Sequence, residues 1–161
     1  MDPNNKAKLD ALLQGKYEEQ IEAKRQEAEK AARQTADLNA FRSIAKGVID
    51  PVLNEYTEHL KGRSVIATRT FKDAGHSNPP EDPRFTFEVP LPGISYGRSG
   101  PSSLTFSLSR HRGTVIVYEK VSSATITRTG SDTPDIKLAE VTPERIEAIV
   151  FQFVEKVLTQ K

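Results

Sequence analysis

The chain has 161 residues, 23 Lys and Arg against 22 Asp and Glu, and no cysteine. That length fits one domain with an appendage better than two domains. The missing cysteine excludes disulfides, thiolate metal sites and thiol nucleophiles, and a net charge of +1 lacks the basic excess of a nucleic-acid binder.

Met1–Asn5 lacks the basic start and apolar stretch of a signal peptide. The chain contains no apolar run of roughly 18 residues or more, so no transmembrane helix is expected. These features predict a soluble, cytoplasmic protein with no membrane partner.

Leu9, Leu13, Tyr17 and Ile21 recur at i+4 and draw one apolar line along a helix. Beyond Ile21 the line continues only through Ala28, Ala31 and Ala32, among Glu, Lys, Arg and Gln, which are strong helix formers. Glu22–Arg25, Glu27–Lys30 and Glu29–Arg33 stand at pairing distance, and Gly15 weakens the first turns. So thin a stripe does not sustain a heptad seam. It predicts a charged helical arm over residues 1–36, coiled-coil-like or frayed.

From Leu38 the pattern thickens. Phe41, Ile44, Ala45, Val48, Ile49, Val52, Leu53, Tyr56 and Leu60 form a broad apolar face, that of a buried helix. Asp50-Pro51 interrupts it, predicting either a kink or a fresh helix capped by Asp50. Gly62 stands where a helix C-terminal glycine belongs.

The period then changes to two. Val65–Phe71 reads as a first strand, and Phe85, Phe87 and Val89 alternate with polar neighbours as a second. Ile94 and Tyr96 suggest a short strand inside a Pro- and Gly-rich loop. Leu104, Phe106 and Leu108 alternate with Ser and Thr. Arg110–Gly113 reads as a hairpin turn into a strand over Thr114–Val121, followed by another over Ser123–Thr129. Thr142 and Pro143 open a last helix whose stripe runs Ile146, Ile149, Val150, Phe153, Val154, Val157 and Leu158. The expected fold is α+β: an antiparallel sheet of four to five strands, covered on one face by two amphipathic helices, Phe41–Leu60 and Ile146–Leu158. Residues 37–161 form its compact domain and residues 1–36 its charged arm.

No catalytic constellation stands out. His59, His76 and His111 lie apart, and only Glu55 and Glu58 near His59 hint at ligands, so no metal or cofactor is expected. Glu81 with Asp82, and Asp132 with Asp135, are carboxylate pairs in proline-containing loops, where acidic residues commonly start turns. No nucleophile elbow, P-loop or dinucleotide fingerprint occurs.

Two surfaces favour partner binding: the arm, through Leu9, Leu13, Tyr17 and Ile21, and the outer sheet face. There Ile116 and Tyr118 fall among Thr86, Ser103, Thr105, Ser107, Ser109, Thr125, Thr127 and Thr129. The reading that follows is a non-enzymatic assembly or adaptor module that self-associates, as a homodimer or higher oligomer, or binds another protein. One alternative is a small-ligand or nucleic-acid binder using Arg98, Arg110, His111 and Arg112 at a basic hairpin tip. The other is an enzyme whose cleft lies between loops Gly75–Pro83 and Pro90–Pro101, with Glu81 and Asp82 as its acids.

Overall fold

The computed structural model describes residues 1–160. Helix-forming residues dominate the first third of the chain, and α1 (Pro3–Ile44) runs as one helix of 42 residues. Gly15 does not interrupt it, because strong formers on both sides outweigh a single glycine. Lys16 pairs with Glu19 at 2.9 Å, and Arg25 grips Glu22 at 2.7 Å and Glu29 at 2.9 Å. The expected pairs Glu27–Lys30 and Glu29–Arg33 do not form. A guanidinium fork serves two carboxylates at once, and Arg25 takes Glu29 from the preceding turn. The chain divides into two compact units, Met1–Ala36 and Asp37–Lys161.

At Asp50-Pro51 the expected cap by Asp50 does not form, and a π-turn accommodates the proline. Ala45–Ile49 form a π-helical turn in which the Asp50 N–H donates to the Ala45 carbonyl. The helix α2 (Asp50–Lys61) follows directly, with Pro51 in its first turn. Asp50 itself is helical, with φ −58° and ψ −45°, and caps nothing. In an uninterrupted α-helix Pro51 would lack a proton for the Gly47 carbonyl and press its ring against it. A wider i→i+5 turn shifts the ladder past that conflict. Gly62 does end α2, donating to the Glu58 carbonyl at 3.2 Å. Its φ is −60°, however, and the left-handed residue that turns the chain is Ser64, with φ 62°.

Among the described residues six strands follow: β1 (Thr68–Lys72), β2 (Arg84–Val89), β3 (Ser102–Ser109), β4 (Thr114–Ser122), β5 (Thr127–Gly130) and β6 (Ile136–Lys137). All pairings are antiparallel, in the order β1-β2-β3-β4-β5, with β6 also paired to β4. The first strand begins three residues later than its apolar pattern suggests, although Val65 and Ala67 are buried. Ile94 and Tyr96 form no strand. Their segment is a turn that leads into a 3-10 turn at Gly97–Ser99, and the Leu91 N–H donates to the Tyr96 hydroxyl at 2.8 Å. The strand expected from Ser123 starts only at Thr127, because the Ser123 hydroxyl closes a local turn on the Ile126 N–H and carbonyl. β6 has no alternation of its own to announce it. Two residues are too few to show a period, and its register against Thr114 and Val115 creates it.

The sheet buries one phase of its alternation. Phe85 stands opposite Phe106, Phe87 opposite Leu104, Phe106 opposite Val117, and Leu108 opposite Val115, and all are buried. They share one core with Phe41, Ile49 and Leu53 and with the stripe of α3 (Pro143–Leu158). Thr142 caps α3, its hydroxyl accepting from the Arg145 N–H at 3.3 Å. Phe153 meets Phe87 edge-on, with ring centroids 6.5 Å apart. Leu158, expected in the stripe, is exposed, because the helix ends there. No helix among the described residues is long and apolar enough to cross a membrane.

Two phenylalanines on α3 test this burial. Phe153→Ala removes a fully buried ring and should cost about 3–5 kcal/mol of unfolding free energy. Phe151 is 57 % exposed, so Phe151→Ala should change stability by no more than about 0.5 kcal/mol. Urea denaturation of both variants checks the contrast.

Candidate functional site

The arm's apolar line is uncovered. Leu9 is 46 % exposed, Leu13 and Tyr17 60 %, and Ile21 51 %. Leu12, which the i+4 pattern passes over, is more exposed still at 69 %. Steps of four on a helix of 3.6 residues per turn drift by about 40° each, so the four residues form a slowly winding ridge. Gly15, Glu22 and Glu29 fall on its far side.

On the sheet, register places Tyr118 opposite Thr105 and Ile116 opposite Ser107. Thr105 stands opposite Thr86 with their hydroxyls 3.4 Å apart. Thr129 and Thr127 face Lys120 and Ser122, while Thr125 lies in the turn before β5. Tyr118 is exposed and Ile116 half-buried, so both stand in a hydroxyl-rich field on the less buried phase of the sheet.

At the hairpin tip, the Gly113 N–H donates to the Ser109 carbonyl at 2.8 Å. Gly113 has φ 63°, a left-handed conformation that suits glycine. The basic residues beside it are already engaged. Arg110 pairs with Asp82 at 2.9 Å and donates to the Glu81 carbonyl at 2.6 Å. Arg112 pairs with Asp135 at 3.0 Å. His111 is exposed, and Arg98 lies in the separate 3-10 turn.

The carboxylate pairs are split in the same way. Glu81 is held by Lys72 at 2.6 Å, and that hydrogen bond keeps its carboxyl below the ordinary value, hence ionised. Asp82 serves Arg110, Asp135 serves Arg112, and Asp132 serves Lys156. Each acid neutralises a different cation, so neither sequence pair forms a proton-sharing dyad. Among the described residues no group of three His, Asp or Glu side chains is placed to hold a metal ion.

One group is absent from the sequence-level inventory. In β4 the buried phase runs Val115, Val117, Glu119, so a carboxylate occupies a core position, only 8 % exposed. Lys156, on the last turns of α3, donates to it at 2.7 Å and to Asp132 at 3.0 Å. The hydrogen bond to Glu119 holds the Lys156 ammonium above its ordinary value, and desolvation opposes that effect. A signal existed: Glu breaks the phase of an otherwise apolar alternation. Its partner lies 37 residues away, so its purpose was not legible.

The sign of the linkage is definite. Lys156 has its folded value raised above the unfolded one, so the stability it confers is complete below about pH 10.5 and is lost as pH rises through the folded value. The melting-temperature gap between wild type and Glu119→Gln should hold steady from about pH 7 to 10 and narrow above that range. Thermal melts across an alkaline pH series measure it.

Comparison of the chain with protein-family models, curated proteins and solved structures finds no match.

Proposed function

We propose that this chain is a non-enzymatic assembly module that self-associates through its N-terminal helix. The observation that carries the reading is the row Leu9, Leu13, Tyr17 and Ile21, about half exposed or more on a continuous helix. Full burial of an exposed large apolar side chain is worth about 1.5–3 kcal/mol, of which these half-exposed residues forgo a part. A row at i±4 is also the ridge that packs into the groove of a second helix crossing at about −50°. This mode needs no heptad, which the sequence lacks.

Charge supports a second copy as the occupant. Residues 1–36 carry seven acidic and seven basic side chains, so two arms meet without net repulsion. Strongly one-signed arms would oppose each other. In the same reading, the helices around Phe41–Leu60 and Ile146–Leu158 cover the buried face of the sheet. The Phe87–Phe153 contact supports that arrangement. The hydroxyl-rich face with Ile116 and Tyr118 then remains open as a second docking surface for the assembled module.

Light scattering of the full chain tests the proposal. The wild type should be dimeric or larger, and Leu13→Asp with Ile21→Asp should reduce it to a monomer. Gly15→Ala should keep the assembly and raise helix stability by about 1 kcal/mol, since nothing lies within 4 Å of the added methyl. A monomeric wild type defeats the reading. So does an unchanged mass in the double variant, which would move the interface to Ile116 and Tyr118.

A further inference from the structure

The buried Glu119 faces an unusual neighbour. Register sets it opposite Gly130 of β5, and sets Val121 opposite Arg128. Opposed residues share a face, so Glu119 and Arg128 are diagonal neighbours on the same face, about 7–8 Å apart along the strand pair. Gly130 supplies no side chain between them, and nothing lies within 4 Å of where its Cβ would stand. The space it leaves belongs to a cavity of ≈ 680 Å³ that also takes in Val121, Ile126, Asp132, Lys156 and Thr159. This volume is in the range of small-molecule sites.

The charges around that space are balanced but not collapsed. Glu119 and Asp132 are anionic, and Lys156 and Arg128 are cationic. Lys156 is tied to both carboxylates. Among the described residues, Arg128 makes no ion pair, although a carboxylate stands diagonal to it. Glu119 keeps one oxygen on Lys156, so its other oxygen remains an acceptor beside the space above Gly130. Asp132 is 84 % exposed, and an ion pair so exposed contributes little, which leaves its carboxylate ready for a competing cation. The cavity wall therefore carries carboxylate acceptors, a guanidinium and the aliphatic side chains of Val121 and Ile126.

We infer that this cavity binds a small zwitterion of the aliphatic α-amino-acid class, its ammonium on Glu119 and Asp132 and its carboxylate on Arg128. A neutral set of two anions and two cations favours a ligand with no net charge. A simple anion meets two carboxylates, and a simple cation meets Lys156 and Arg128. Both charged ends are needed, because each one satisfies a group of opposite sign on the same face. The hydrocarbon body rests on Val121 and Ile126. The site is independent of the arm and of self-association.

Calorimetric titration of the full chain with three probes tests the inference: L-leucine, 4-methylpentanoate, which lacks the ammonium, and 3-methylbutan-1-amine, which lacks the carboxylate. L-leucine should bind saturably, and each half-ligand should bind about tenfold more weakly or worse, the effect of losing one charge-assisted hydrogen bond. Arg128→Gln should lower L-leucine affinity about tenfold or more and leave the amine unaffected. Gly130→Val, which suits a strand and puts a branched side chain between Glu119 and Arg128 without altering any charge, should abolish binding of all three at an unchanged melting temperature. Equal binding of L-leucine and 4-methylpentanoate would overturn the inference in favour of an anion site. No L-leucine binding to the wild type, or binding indifferent to Gly130→Val, would also overturn it.

Discussion

The phase of β2, β3 and β4 is the constraint on which the rest of the body depends. In each strand alternate residues are apolar, apart from Ser102 in β3 and Glu119 in β4, and their register brings Phe85 to Phe106, Phe87 to Leu104 and Phe106 to Val117 on one buried face. A slip of one residue would turn every one of these rings to water. The same phase that buries the rings fixes where Glu119 points. It also keeps Ile116 and Tyr118 on the opposite face, among hydroxyls. Burial and candidate surface are therefore two consequences of one register.

The helical segments contribute to the same core. The π-turn at Ala45–Ile49 lets the chain carry Pro51 without ending a helix, so Ile49 and Leu53 both reach the core. Phe71, at the edge strand, stacks obliquely between Phe41 and Phe85, with ring centroids at 6.4 and 5.9 Å. Arg69, in phase with Phe71, turns to Asp50 at 2.6 Å and Asn54 at 2.6 Å. The first turn of α2 thus joins β1 by charge and packing together. Around the loops the rule is local neutralisation: Arg42 with Asp73, Lys72 with Glu81 and Arg110 with Asp82. These surface pairs contribute little each, but they leave the hairpin tip far less cationic than its sequence suggests.

The Glu119–Lys156 pair departs from that rule because it is sheltered. Burying a carboxylate is costly unless a counter-charge and hydrogen bonds compensate, and a valine in its place would have continued the alternation. Lys156 stands between this sheltered acid and the exposed Asp132, joining the end of α3 to β4 and to the segment after β5. Beside it, Gly130 leaves open the position that a side chain would close. A charged core position facing an empty cross-strand position gives the cleft its chemistry. The exposed arm carries a separate, apolar row of side chains.

Periodicity in the sequence was sufficient for the strands β2, β3 and β4, the capped start of α3 and the antiparallel class, and propensity favoured helix in the arm, although neither showed that one helix runs on to Ile44. Each depends on residues within a few positions of one another, where helical or pleated geometry alone decides which side chains share a face. Tertiary structure alone decided the π-turn, the late start of β5, the two-residue β6 and the partners of every loop carboxylate. The cleft belongs to that second group. Glu119, Gly130 and Lys156 meet only after β5 has paired with β4 and α3 has returned to the sheet. No local pattern encodes a contact whose members are separated by 37 residues and joined by packing.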